Sequence, residues 1–119
     1  EAFELSNKSH DRYLERESLL KANTAHFRII DKIYGTSDEI EVFKYMELEY
    51  RSLRIGLREC FYDNKNLGNG SIALLKISDN SPSVKTYDGW MSSSFSHLNN
   101  YNNYRYSLWL LSCSISNQE

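Results

Sequence analysis

A chain of 119 residues is long enough for one hydrophobic core and too short for two. Its 14 basic and 16 acidic residues give a formal net charge of −2 and form no basic stripe, which excludes a phosphate-gripping nucleic-acid binder. Five Phe, two Trp and nine Tyr exclude intrinsic disorder, and apolar runs such as Leu108–Leu111 stop far short of the ~20 residues of a bilayer-spanning helix.

The chain opens on Glu1-Ala2, and Glu1–Lys8 has no signal-peptide character. A processed start is expected, with a secretory signal already removed. The first predicted helix runs from about Asp11 to Tyr34, with Ser9 as candidate cap. Leu19, Ala22, His26, Ile29 and Ile33 lie three and four apart, and Gly35 follows where a C-cap glycine belongs. The second begins at Ser37 as N-cap, with Asp38, Glu39 and Glu41 at the positive end of the helix dipole. Phe43, Met46, Tyr50, Leu53, Leu57 and Cys60 then repeat at alternating intervals of three and four, facing Lys44, Glu47, Glu49, Arg51, Arg54 and Arg58. Gly56 within it points to close approach of another backbone.

The segment 63–70 (DNKNLGNG) is a loop, and 71–77 (SIALLKI) reads either as a short strand or as a helical turn capped by Ser71. A second loop, 78–89, holds the lone proline, Pro82. A last helix is predicted from about Trp90 to Ser112, its stripe formed by Leu98, Tyr101, Tyr104, Leu108, Leu111 and Ile115, although four Asn residues between 99 and 103 weaken it. The expected fold is therefore mainly α: one domain over 1–119, a bundle of three to four helices with two long surface loops.

Cys60 and Cys113 are the only cysteines, too far apart for a CxxC redox or zinc motif. Two buried thiols and a single disulfide both fit. The even count, with each cysteine near the end of a predicted helix, favours the disulfide and an oxidising compartment.

Little in the sequence points to catalysis. His10, His26 and His97 are isolated, without metal-ligand spacing, and His26 reads as a satisfied core histidine. No nucleophile elbow or phosphate-binding loop occurs. Glu47 and Glu49 point to different sides of a helix and read as a solvated face. Asn7-Lys8-Ser9 and Asn69-Gly70-Ser71 fit the glycosylation pattern by chance in a chain rich in Asn and Ser. No enzyme, cofactor or metal is expected. What stands out is 83–90, where Ser83, Lys85, Tyr87 and Asp88 offer hydrogen-bonding and aromatic groups suited to a protein interface. Trp90 is expected to fold back onto the core. Asn69 and Ser71, in the NLGNGS turn, are the second candidate contact.

The run Leu48-Glu49-Tyr50-Arg51 to Leu57-Arg58-Glu59-Cys60, followed by Gly68-Asn69-Gly70-Ser71-Ile72, resembles the LprI-type lysozyme inhibitors, over about 25 residues. Cys113 lies later than that pattern has its partner cysteine. As a whole the chain is similar to bacteriocin immunity proteins of the pesticin type, in length, its Glu-Ala start, its Asn/Tyr/Ser-rich composition and its two cysteines. The resemblance implies a periplasmic inhibitor whose partner is a lysozyme-like muramidase. Such enzymes rely on a pair of carboxyl groups in a cleft, against which Lys85, Tyr87 or serine hydroxyls would set hydrogen-bond donors. The alternative is a non-enzymatic interaction module of a bacterial envelope or secretion complex. Membrane insertion is not expected, and the oligomeric state is left open.

Overall fold

The computed structural model describes residues 19–63, 70–81, 86–94 and 100–116. They contain nine strands and no helix, so the mainly α expectation is overturned. The strands are β1 (Leu19–Lys21), β2 (Thr24–Asp31), β3 (Thr36–Phe43), β4 (Glu47–Tyr50), β5 (Leu53–Asp63), β6 (Ile72–Asp79), β7 (Tyr87–Ser92), β8 (Tyr101–Asn102) and β9 (Tyr106–Ser114). They form two antiparallel sheets. One has the order β1-β5-β6-β7, with β4 also paired to β5; the other has the order β3-β2-β9-β8.

The two sheets share one core. Ala25, Phe27, Ile29, Leu108 and Leu110 come from one, and Leu53, Ile55, Leu57, Leu75, Ile77 and Met91 from the other. Along β2 every second residue is buried (Ala25, Phe27, Ile29, Asp31), while His26, Arg28 and Ile30 between them are partly exposed. That is the two-residue period of a strand with one face on the core.

The helical reading failed for an identifiable reason. On β5 the buried residues are Leu53, Ile55 and Leu57, then Cys60; on β9 they are Tyr106, Leu108 and Leu110, then Cys113. A register shift between Leu57 and Glu59, and another opposite His26/Phe27, inserts one extra residue before each cysteine. Each bulge turns a spacing of two into three and brings its cysteine to the core face. Sampled at Leu53, Leu57 and Cys60, the result has the four-then-three spacing of an amphipathic helix. The backbone separates the two cases. Tyr45 (φ 67°) and Arg51 (φ 56°), both inside the predicted second helix, are left-handed, a conformation that no right-handed helix passes through.

The other predicted helices fall with it. Leu19–Tyr34 is β1, β2 and the first part of the β2–β3 turn, and Gly35 (φ 69°) serves that turn instead of a helix end. Ser37, Asp38, Glu39 and Glu41 belong to strand β3. From Trp90 onward the described chain is the end of β7, then β8 and β9, and the stripe residues Tyr104 and Ile115 are exposed. Ser9 and the start of the first helix, like Leu98 in the last, lie outside the described residues. Of the two readings for 71–77, the strand is the one that forms, as β6. A Cβ on Gly56 would come within 3.3 Å of Glu47 Cγ across the β4–β5 pair, so the close neighbour is chiefly a side chain.

The disulfide is formed. Cys60 and Cys113, with Cα atoms 6.0 Å apart, join β5 of one sheet to β9 of the other, and both are buried.

Candidate functional site

The β2–β3, β4–β5 and β8–β9 turns meet at the end of the sandwich opposite the disulfide. Asp31, the last residue of β2, organises them. Its side chain is fully buried and accepts five N–H donors. These are the backbone amides of Ile33 (3.0 Å) and Tyr34 (3.2 Å), Arg51 Nη1 (2.5 Å), and Arg105 Nε (3.2 Å) and Nη2 (2.9 Å). The Arg105 guanidinium holds the Asp31 carboxyl well below the usual carboxylate range against the opposing effect of burial, and Arg51 and the Tyr34 and Ile33 amides act in the same direction as Arg105. A buried carboxylate saturated by donors stays charged and fixes the geometry of everything it touches.

Local contacts lock the same turns together. Lys32 N–H donates to Arg105 C=O (2.7 Å), and Lys32 Nζ donates to Asn103 C=O (2.6 Å). The Asn103 side-chain oxygen accepts from the amides of Arg105 and Tyr106, closing the β8–β9 turn. Ser52 donates its amide to the buried Tyr106 hydroxyl (3.3 Å), and Asn80 N–H reaches Ser52 C=O (3.0 Å), which brings the end of β6 alongside. The guanidinium groups of Arg51 and Arg105 each lie 5.1 Å from the Tyr34 ring centroid, within cation–π range. Above this base stand exposed side chains: Ile33 (58%), Tyr34 (66%) and Tyr104 (66%).

Of the residues singled out in the sequence, those that are described take no part in the Asp31 node. Ser83, Lys85 and Asn69 lie outside the described residues. Ser71 is buried. Its hydroxyl accepts from the Cys113 amide (2.9 Å), and its own amide donates to Ser93 Oγ (3.2 Å), so it braces the strands beside the disulfide and has little surface for a partner. Tyr87 is half-buried against the core and donates its hydroxyl to Trp90 C=O (2.5 Å); burial raises its pKa. Asp88 is exposed on β7, paired in register with Lys76. Trp90 packs against Phe61 on β5, with ring centroids 6.3 Å apart.

His26 is not a core histidine. It lies partly exposed on β2, with Nε2 2.8 Å from Ser114 Oγ and Nδ1 3.5 Å from Glu41 Oε2, so a serine–histidine–glutamate row crosses β9, β2 and β3. Glu41 is 57% exposed, and its contact with His26 is long. The row ties three strands together across one sheet. Among the described residues no group of three or more His, Cys, Asp or Glu could hold a metal ion.

The Asp31 node was missed because its members lie 20 and 74 residues from Asp31 in sequence. One local signal was available. Asp31 and Gly35 bracket a four-residue step, with an Asp side chain accepting the amides two and three residues on, which is turn chemistry and does not suit a helix interior.

Residues 25–113 match a family described as "Uncharacterized protein conserved in bacteria (DUF2155)", and the chain belongs to that family. The match takes in both cysteines and every member of the Asp31 node. No curated protein and no solved structure matches the chain.

Proposed function

We propose that this DUF2155 member is a non-enzymatic interaction module of the bacterial envelope, acting by contact through the end of the sandwich built on Asp31. The observation that carries the reading is the pairing of a rigid base with exposed contact residues. Ile33, Tyr34 and Tyr104 are open to solvent on turns whose backbone is held by a buried, donor-saturated carboxylate. Preorganised turns lose little entropy on binding, and Tyr brings large contact area on few rotatable bonds. The Cys60–Cys113 bridge supports an oxidising compartment, in keeping with the periplasm.

The test is site-specific photo-cross-linking in the bacterial envelope. A benzophenone side chain at Tyr34 or Tyr104 is expected to give adducts, while the same group at Arg54 or Lys76, exposed on the other sheet, gives none. Equal yields from all four positions, or none from any, would remove the turn end from the account.

A narrower form of the proposal takes the partner to be a protein, a lysozyme-like muramidase toxin that this chain inhibits. It is supported by the sequence resemblance alone, and the stretch that carried its local part, Leu48 to Cys60, lies in β4, β5 and their turn instead of in a helix. A peptidoglycan-clearance assay decides it: the protein should slow the loss of turbidity caused by such an enzyme, and undiminished clearance at excess protein would reject it.

A further inference from the structure

We propose that the open edge of β3 takes up an extended segment of another protein, alternately basic and apolar, as a further antiparallel strand. The inference concerns a second surface and does not depend on the turn end. β3 is an edge of its sheet, paired on one side to β2. Hydrogen bonds at the two ends of β2 set the phase of that pairing. Lys44 N–H donates to Asn23 C=O, and Lys32 N–H donates to Arg105 C=O on the opposite side of β2. Alternation along an antiparallel pair then turns the backbone of Thr36, Asp38, Ile40 and Val42 to β2, and that of Ser37, Glu39 and Glu41 outward. These last three residues are exposed, and among the described residues no strand pairs with their side of β3. On β7, the corresponding edge of the other sheet, the Trp90 C=O is already taken by the Tyr87 hydroxyl.

The side chains say what kind of strand fits. Glu39 and Glu41 lie on the outer face of the sheet, and both are held from the β2 side only. Arg28 Nη2 donates to Glu39 Oε2 (2.6 Å), and His26 Nδ1 lies 3.5 Å from Glu41 Oε2. Among the described residues the Oε1 atom of each has no partner, and β3 itself carries no Lys or Arg. Asp38 points to the other face, where it accepts from the Tyr50 hydroxyl. In an added strand the residues opposite Glu39 and Glu41 sit within cross-strand contact, which favours Lys or Arg there and opposes Asp or Glu. On the core side, Ile40 and Leu48 pair in register with the fully buried Phe27 and Ile55 but are themselves only partly buried. The core is thinly covered along this flank, and apolar residues between the cations would cover it. The same carboxylates exclude a second copy. Antiparallel self-pairing centred on Glu39 sets it against its counterpart, and centring on Ile40 sets Glu39 against Glu41. Strand addition draws affinity from main-chain groups and selectivity from alternate side chains, and this edge offers both.

Titration calorimetry with a short synthetic peptide of alternating Lys and Val tests this, using the full chain with its disulfide intact. Binding is expected, and a peptide alternating Glu and Val should not bind. With the Lys/Val peptide at about 100 times its Kd, hydrogen exchange at the Ser37, Glu39 and Glu41 amides should slow about 100-fold. Methylating the backbone nitrogens of the Lys residues, which face β3 in this register, should abolish binding, while methylating those of the Val residues should spare it. Glu41→Lys should weaken binding about fivefold, the upper range for one cross-strand charge pair. Asp88→Lys, the same charge change on β7, should leave it unchanged. The melting transition of each variant is checked against the parent, and the methylated peptides decide the matter on the unaltered protein. No binding of the Lys/Val peptide, equal binding of the Glu/Val peptide, equal loss from both methylations, unslowed exchange at the three amides, or an equal loss with Asp88→Lys would overturn the inference. A dimer of the chain alone, with those amides already protected, would assign the edge to a second copy and overturn it as well.

Discussion

At one end of the sandwich Cys60 and Cys113 join β5 to β9 by a covalent bond; at the other, Asp31 on β2 gathers Arg51 from the β4–β5 turn and Arg105 from the β8–β9 turn. Both devices tie one sheet to the other. Six residue steps along β2, from Ala25 opposite Cys113 to Asp31, separate them, about 20 Å at strand rise. They work on different states of the chain. The disulfide acts mainly by restricting the unfolded ensemble, so its contribution changes little with pH. The carboxylate node exists only in the folded state and depends on Asp31 being charged. The covalent end is buried and closed, with Ser71 spent on bracing it. The ionic end leaves Tyr34, Tyr104 and Ile33 in solvent. The contrast separates a closed, covalent end from an open one, where the node holds its turns in place and leaves their tips uncovered.

Removing the covalent staple should have the largest effect. Replacing both cysteines by Ala opens a link across 53 residues and should lower stability by about 4 kcal/mol in the chain-entropy model. Urea unfolding measures it, and a loss below about 1 kcal/mol would mean that packing alone holds that end.

Asp31→Asn comes next, at about 2–3 kcal/mol. This is below the usual cost of breaking a fully buried charge pair, because both guanidinium groups keep access to water. The pH dependence carries the same signature. Asp31 titrates lower in the folded than in the unfolded chain, so the unfolded state binds more protons and stability rises with pH through the acid range. The contribution is complete above the ordinary carboxylate pKa of about 3.9 and is lost as pH falls below it. Denaturation followed from pH 5 to pH 2 should show a steep loss in the parent and a shallower one in Asp31→Asn. Parallel curves would assign the acid sensitivity to other carboxylates. Since the two devices are far apart, combining Asp31→Asn with the cysteine replacements should give the sum of the separate losses within about 0.5 kcal/mol, and a larger departure would show that the ends communicate.

Ser71→Ala should cost about 1–2 kcal/mol, because it leaves the buried Cys113 amide without its acceptor. The same unfolding curves read it. Smallest of all is Tyr104→Ala, which should stay within about 0.5 kcal/mol in thermal unfolding while weakening contact at the tip. A large loss of stability there would recast Tyr104 as part of the scaffold.

Part of this was legible in the chain. The pairing of Cys60 with Cys113 followed from there being two cysteines and nothing nearer for either to do. The two loops were drawn too long, since Asp63 belongs to β5, Ser78 and Asp79 to β6, and Tyr87, Asp88 and Gly89 to β7, with 64–69 and 82–85 outside the described residues. A strand over 71–77 was one of the two readings on offer. The helices were the error, and the cause was local. In the second, the bulge before Cys60 turned a two-residue pattern into a four-and-three one, which only the left-handed Tyr45 and Arg51 and the strand pairing distinguish from a helix. In the first, the stripe Leu19, Ala22, His26, Ile29 and Ile33 ran across β1, β2 and a turn and passed over the alternation of Ala25, Phe27 and Ile29.

What the sequence determined by itself, then, is a composition that buries one hydrophobic core and two cysteines able to close it, because these depend on residue types and their number. The tertiary structure decided the period of each segment, since a bulge is defined only against a partner strand. It also decided the Asp31 node, because a carboxylate and two guanidinium groups 20 and 74 residues away become one group of charges only when two sheets bring their turns to the same end.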